Sequence, residues 1–149
     1  MRKRLVFFFV FVFLVCTAIL PAAATQQIHY ETSVIHSACG VVEIDRVITV
    51  YDSLFRSSTK RADVTDVYKY SGKTVAEVTL SVTFSYDGNS AWVTNASGSH
   101  TTYNSWSYSG EKISKSGGTA TLTASLFKLT EGTIAVNTPL TCSPTGQIS

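Results

Sequence analysis

The chain is poor in the residues from which most catalytic and metal sites are built. It has three histidines and three cysteines in 149 residues, and its acids are few and dispersed. His29, His36 and His100 do not group as a metal set. His29 and His36 are seven apart, so on one continuous strand they face opposite sides. No G-x-S-x-G nucleophile elbow occurs. Ser99 stands beside His100, but neighbours on a strand point apart, and a hydroxyl–imidazole pair needs contact. Asp45 and Asp52 are again opposite in strand phase, so no paired-carboxylate pattern is visible, although such sites also assemble from distant strands. The acidic turn "DGN" at residues 87–89 is too short for an EF-hand and lacks its closing glutamate. These absences lead us to expect a protein that is not an enzyme, with no metal and no cofactor.

Basic charge is also scarce once the amino terminus is set aside. "MRKRLVFFFVFVFLVCTAILPAAATQQ" opens with Arg2, Lys3 and Arg4, continues as an apolar run from Leu5 to Leu20, and ends in Pro21 and small residues. This is the order of parts in a secretory signal, and Ala22-x-Ala24 fits the peptidase pockets, placing cleavage after Ala24. The alternative is an uncleaved anchor, for which the run falls short of the roughly 18–20 residues that span a bilayer. Residues 1–24 are therefore expected to be a signal peptide and residues 25–149 one exported domain. Cleavage removes three of the 12 Lys and Arg and none of the 10 Asp and Glu, leaving 9 − 10 = −1. Nucleic acid is excluded as an expected partner, because few phosphates could be neutralised. Stable membrane insertion after cleavage is not expected either.

Cys16 would leave with the signal, and Cys39 and Cys142 remain. An even pair in an exported protein reads as a disulfide, with two buried thiols as the alternative. Closing so long a loop would contribute roughly 4–5 kcal/mol in the chain-entropy model.

What the sequence does have is alternation. In "TVAEVTLSVTFSY", Val78, Leu80, Val82, Phe84 and Tyr86 alternate with Glu77, Thr79, Ser81, Thr83 and Ser85, which gives a strand with one apolar and one wet face. Asp87-Gly88 follows as a hairpin turn, and "SAWVT" returns. A second hairpin joins "TATLTASLFKL" to "TIAVNTPLTC" through "TEG", and Pro139 suggests an edge or a bulge there. "ADVTDVYKY" is expected beside the long central strand, and "GVVEIDRVITVY" reads as strand. "DRVITVYDSLFRSS" also fits a short helix capped by Asp45, but strand is favoured through Tyr51. Seven or eight short strands joined by tight turns predict an antiparallel β-sandwich, immunoglobulin-like or jelly-roll-like.

"HTTYNSWSYSG", residues 100–110, is the one stretch suggestive of a ligand surface. Tyr103, Trp106 and Tyr108 are candidate ligand-binding rings that could stack on a sugar or an apolar surface. On an unbroken strand Trp106 and Tyr108 share a face and Tyr103 lies opposite. The favoured reading therefore places Trp106 and Tyr108 in the core and Tyr103 at an edge. "NAS" at Asn95 is a glycosylation sequon of low specificity.

The "TFSYDG", "NSWSYSG" and "TCSPTG" segments, behind a signal peptide and within a Thr- and Ser-rich β domain, resemble small secreted proteins of Gram-positive bacteria. The resemblance implies export and a β-sandwich and carries over no catalytic residue. The expected function is a secreted, non-enzymatic interaction or surface-associated protein with an extracellular glycan or protein as partner. A membrane-active, bacteriocin-like effector and a hydrolase with a dispersed site are the alternatives.

Overall fold

The computed structural model describes residues 26–51 and 58–149. The expected signal segment, Cys16 and the second half of the possible helix lie outside the described residues.

Eight antiparallel strands form two sheets. β1 (Gln26–Ser37), β2 (Gly40–Tyr51), β3 (Thr59–Tyr70), β4 (Lys73–Tyr86) and β5 (Ala91–Thr102) lie side by side in chain order. β6 (Ser107–Ser116), β7 (Thr119–Lys128) and β8 (Gly132–Thr141) form the second sheet, also in chain order. The all-β antiparallel sandwich expected from the alternation is the architecture observed, and within each sheet every neighbour is also the next strand in sequence.

The turns explain this simple order. Ser71 and Gly72 both take positive φ, 51° and 73°, as a two-residue hairpin turn demands, and glycine meets the second at no steric cost. At the β4–β5 turn the Asp87 carboxylate accepts from the amides of Asn89 and Ser90 at 2.9 and 2.7 Å. These backbone bonds hold its carboxyl below the usual range. The segment read as strand or helix is strand to Tyr51, and Asp45 caps nothing. Asp45 sits in mid-strand on the outer face, bonded to Lys69 and to Thr32.

The core follows the alternation. Val78, Leu80, Val82 and Phe84 of β4 meet Ala120, Leu122, Leu126, Ile134 and Leu140 of the second sheet, all buried. β2 and β3 turn their even-numbered residues inward, including Val42, Ile44, Ile48 and Val50, and Ala62, Val64 and Tyr68. β1 continues the large sheet beyond this core. Its inward residues Gln27, His29, Glu31 and Ser33 are polar and exposed, and only Ile35 reaches the core.

Candidate functional site: a polar cleft between two edge strands

β1 ends the large sheet and β8 ends the small one. Between them the sandwich is open. One chamber of the opening, ≈ 340 Å³, is lined by Gln27, His29, Ile48, Val50 and Ile148 among others. A second, ≈ 270 Å³, is lined by Ser33, Ile35, Ile44, Tyr68, Ala135 and Asn137. Glu31 and Arg46 line both, so the two chambers meet at that pair.

Strand register builds the floor of the cleft. Glu31 faces Arg46, Arg46 faces Asp66, Asp66 faces Val78, and Val78 faces His100, so one inward row crosses all five strands. Four of its five residues are polar. Arg46 Nε and Nη2 donate to the two Asp66 carboxylate oxygens at 2.7 and 2.8 Å. The Thr138 hydroxyl of β8 donates to the same carboxylate at 2.7 Å. Asp66 is fully buried, whereas the Arg46 side chain keeps about a fifth of its surface (22%) in the cleft. The bond to Asp66 raises the Arg46 pKa against the opposing effect of burial, so the guanidinium is charged. The Thr138–Asp66 bond ties the two sheets together, and the ion pair turns one edge of a cation toward the opening.

Two main-chain and side-chain features are unfilled here. The Tyr68 hydroxyl is buried beside Thr138 and the Asn137 backbone, yet makes no hydrogen bond of good geometry. Burial, then the Asp66 charge, pushes its pKa up, so it remains a neutral donor. The second feature is the backbone of β8. Thr141 exchanges both of its main-chain bonds with Ser149, at 2.7 and 2.9 Å, which puts its amide and carbonyl on the side away from β7. Main-chain groups alternate along a strand, so those of Ala135 and Asn137 point the same way, toward the cleft. Pro139, between them and Thr141, has no amide to offer.

The rings singled out in the sequence lie elsewhere. The expectation of one strand through residues 100–110 is corrected: β5 stops at Thr102, and Asn104 and Ser105 take positive φ of 55° and 62° in a corner leading to β6. Asn104 Nδ2 anchors that corner on the Thr74 carbonyl at 2.8 Å. The turn carries Trp106 into the core, 5% exposed, with its ring edge-on to Tyr70 at 6.0 Å. Tyr103 stays on the surface, 39% exposed, and donates to Glu77. Tyr108 is half-buried and stacks on His100 at 3.7 Å, with its hydroxyl donating to Glu111 at 2.8 Å. The three rings do not share one surface. Burial, then Glu111, raises the Tyr108 pKa well above that of a free phenol, so the ring stays neutral. Gly98 makes room for this group, since a Cβ there would lie 2.7 Å from both Glu111 Oε1 and Leu122 Cδ1.

The expected Cys39–Cys142 bridge is also corrected, because both thiols are free. Cys39 lies in the β1–β2 turn, its Cβ 3.6 Å from where a side chain on Gly132 would begin. Gly132 starts β8 and Cys142 directly follows its end. Ten extended residues at ~3.3 Å each separate the two by roughly 30 Å, far beyond disulfide reach.

Arg46, Asp66, Tyr68 and Glu31 were not singled out from the sequence, although a signal was present. Val42, Ile44, Arg46, Ile48, Val50 and Ala62, Val64, Asp66, Tyr68 each interrupt an apolar phase with one charge, and the two charges are of opposite sign. No family model, curated protein or solved structure matches the chain.

Proposed function

We propose that the protein is an exported, non-enzymatic interaction module that holds an extended peptide segment of an extracellular partner in the cleft along β8. The observation that carries this reading is the pair of bonds between Thr141 and Ser149. The chain's own segment at Ile148 and Ser149 already lies against one end of β8 in an isolated antiparallel bridge. The same edge is open at Ala135 and Asn137, where the cleft begins. A peptide continuing that pairing would gain affinity from main-chain bonds and selectivity from the groups beneath it. Those groups are the Arg46 guanidinium, Glu31 and an apolar wall of Ile44 and Ile35. The Asp66 carboxylate, sealed by Arg46 and Thr138, cannot touch a substrate, which favours binding over hydrolysis.

Export rests on the amino-terminal sequence, and mass spectrometry of the secreted protein is expected to find Thr25 as its first residue. An intact Met1 on membrane-bound material would overturn it. The binding reading is tested by panning a displayed peptide library on the purified protein and rescoring the winners against Ala135→Pro. Proline there removes a cleft-facing amide and leaves the bonds to β7 intact. Selected peptides are expected to lose at least tenfold in affinity at an unchanged melting temperature. Undiminished binding to the variant, or binding to a glycan array in place of peptides, would sink the peptide reading.

A further inference from the structure

The four sheet edges are not treated alike. A free edge offers unpaired amides and carbonyls to any other chain, and native proteins blunt such edges with bulges, prolines, lysines or a covering segment. β5 has a register shift against β4, and its Val93 amide is taken by the Gly117 carbonyl at 3.0 Å. β6 is broken by a register shift between Ser109 and Lys112, around the positive-φ Gly110, and exposes Lys112 and Lys115. β8 carries Pro139 and the paired tail. Among the described residues, β1 has none of these devices. Its twelve residues contain no proline, glycine, lysine or arginine, and they pair with β2 in unbroken register from Gln26 to Ser37. Among the described residues, no backbone bond joins β1 to any segment but β2.

The outer face of β1 is also apolar where an exposed edge is ordinarily charged. Tyr30 is 71% exposed, Val34 58% and Ile28 48%. They alternate along the strand, so all three stand on the same side.

We infer that β1 is a self-association edge, pairing antiparallel with β1 of a second copy about a two-fold axis at Thr32 and extending the large sheet across the dimer. The sequence of the strand is complementary to itself in that register. Thr32 faces Thr32 of the second copy, Glu31 faces Ser33, Tyr30 faces Val34, Ile28 faces His36, His29 faces Ile35 and Gln27 faces Ser37. No like charges oppose, and the aromatic–β-branched pair of Tyr30 and Val34 occurs twice, a favourable cross-strand combination. Moving the axis to residue 31 would oppose two Glu31 carboxylates. Moving it to residue 33 would separate Tyr30 from Val34 and face Glu31 with Ile35. Opposed residues of an antiparallel pair point to the same face, so both small sheets lie on one side of the joined sheet. The two polar clefts then merge into one trough floored by β2, β1 and their two mates, about 14 Å across at ~4.8 Å per strand. Self-association by β1 leaves Ala135 and Asn137 of β8 free, so it stands or falls separately from the peptide-binding proposal.

Light scattering coupled to size exclusion is expected to give a concentration-dependent dimer for the purified protein and a monomer for Tyr30→Lys/Val34→Lys. Both substitutions are on exposed side chains, so the melting temperature of the monomeric form serves as a folding control. The register is read by Thr32→Cys, which a short bis-maleimide is expected to link into a covalent dimer well above the level seen for the parent with its Cys39 and Cys142. A parent that is monomeric at every soluble concentration overturns the inference. So does a dimer that survives the double lysine change, or one in which Thr32→Cys fails to link. Peptide binding that persists in the Tyr30→Lys/Val34→Lys monomer would leave the β8 proposal standing even then.

Discussion

Arg46 and Asp66 meet side by side on adjacent strands through two parallel hydrogen bonds, with the carboxylate fully buried and the guanidinium reaching the cleft. The pair is thus asymmetric in its access to water. Thr138 reaches across from the other sheet to the carboxylate alone. The inter-sheet link therefore hangs on Asp66, and Arg46 neutralises it.

The two halves of this pair are expected to respond differently to substitution. Arg46→Met strands a carboxylate in the core with only the Thr138 hydroxyl for company, which should cost about 3–5 kcal/mol. Asp66→Asn leaves a cation that can swing toward water in the cleft, and should cost about 1–3 kcal/mol. Replacing both, as Arg46→Met/Asp66→Leu, should recover much of the loss, since an apolar pair of similar volume carries no desolvation penalty. Urea unfolding of the parent and the three variants measures all four stabilities. Equal losses in the two single variants would contradict the asymmetry, and additive losses in the double would contradict the coupling.

The cysteines give a prediction about redox behaviour. With Cys39 and Cys142 at opposite ends of β8, a chain beginning at Thr25 and isolated without reductant should titrate two thiols in denaturant. Reductant should leave the unfolding midpoint where it was. In the folded protein the half-buried Cys39 should react with a thiol reagent before Cys142, which is buried and whose thiol pKa burial raises. A chain with no titratable thiol that runs as a monomer without reductant, stabilised by oxidation, would require the two ends of β8 to meet and would refute the observed strand order.

Much of the fold was legible because the core is written in strict alternation. "GVVEIDRVITVY" spans β2 from end to end, and the Asp87-Gly88 and "TEG" hairpins join the strands they were expected to join. β1 was not legible. Its outward Ile28, Tyr30 and Val34 and inward Gln27, His29, Glu31 and Ser33 reverse the usual sense, so a search for a half-buried strand passes over it. The cleft was obscure for a related reason. Arg46 and Asp66 are 20 residues apart, and only the β2–β3 register makes them neighbours. The corner at Asn104 and Ser105 was missed because strand phase carries across a segment only if no residue leaves the extended region, and two consecutive non-glycine residues at positive φ leave no local pattern.

That corner decides what Trp106 does, and the last prediction concerns it. Trp106 is packed edge-on against Tyr70 beside the loop that passes the chain from one sheet to the other, and it belongs to the buried core. Trp106→Ala removes the whole ring from a site that the fixed ends of β5 and β6 cannot collapse to fill, and should cost about 3–5 kcal/mol. Tyr103→Ala, three residues earlier, removes an exposed ring and one hydrogen bond to Glu77, and should cost about 1 kcal/mol or less. The chain has two tryptophans, and the other, Trp92, remains to report unfolding by fluorescence in both variants. The comparison is one of denaturation midpoints at equal slope, since a change in slope would signal a different unfolded or native state. A Trp106→Ala protein as stable as Tyr103→Ala would mean that the ring contributes little packing where it lies. The corner at Asn104 and Ser105 would then be free to present it, and residues 103–108 would return as a ligand surface.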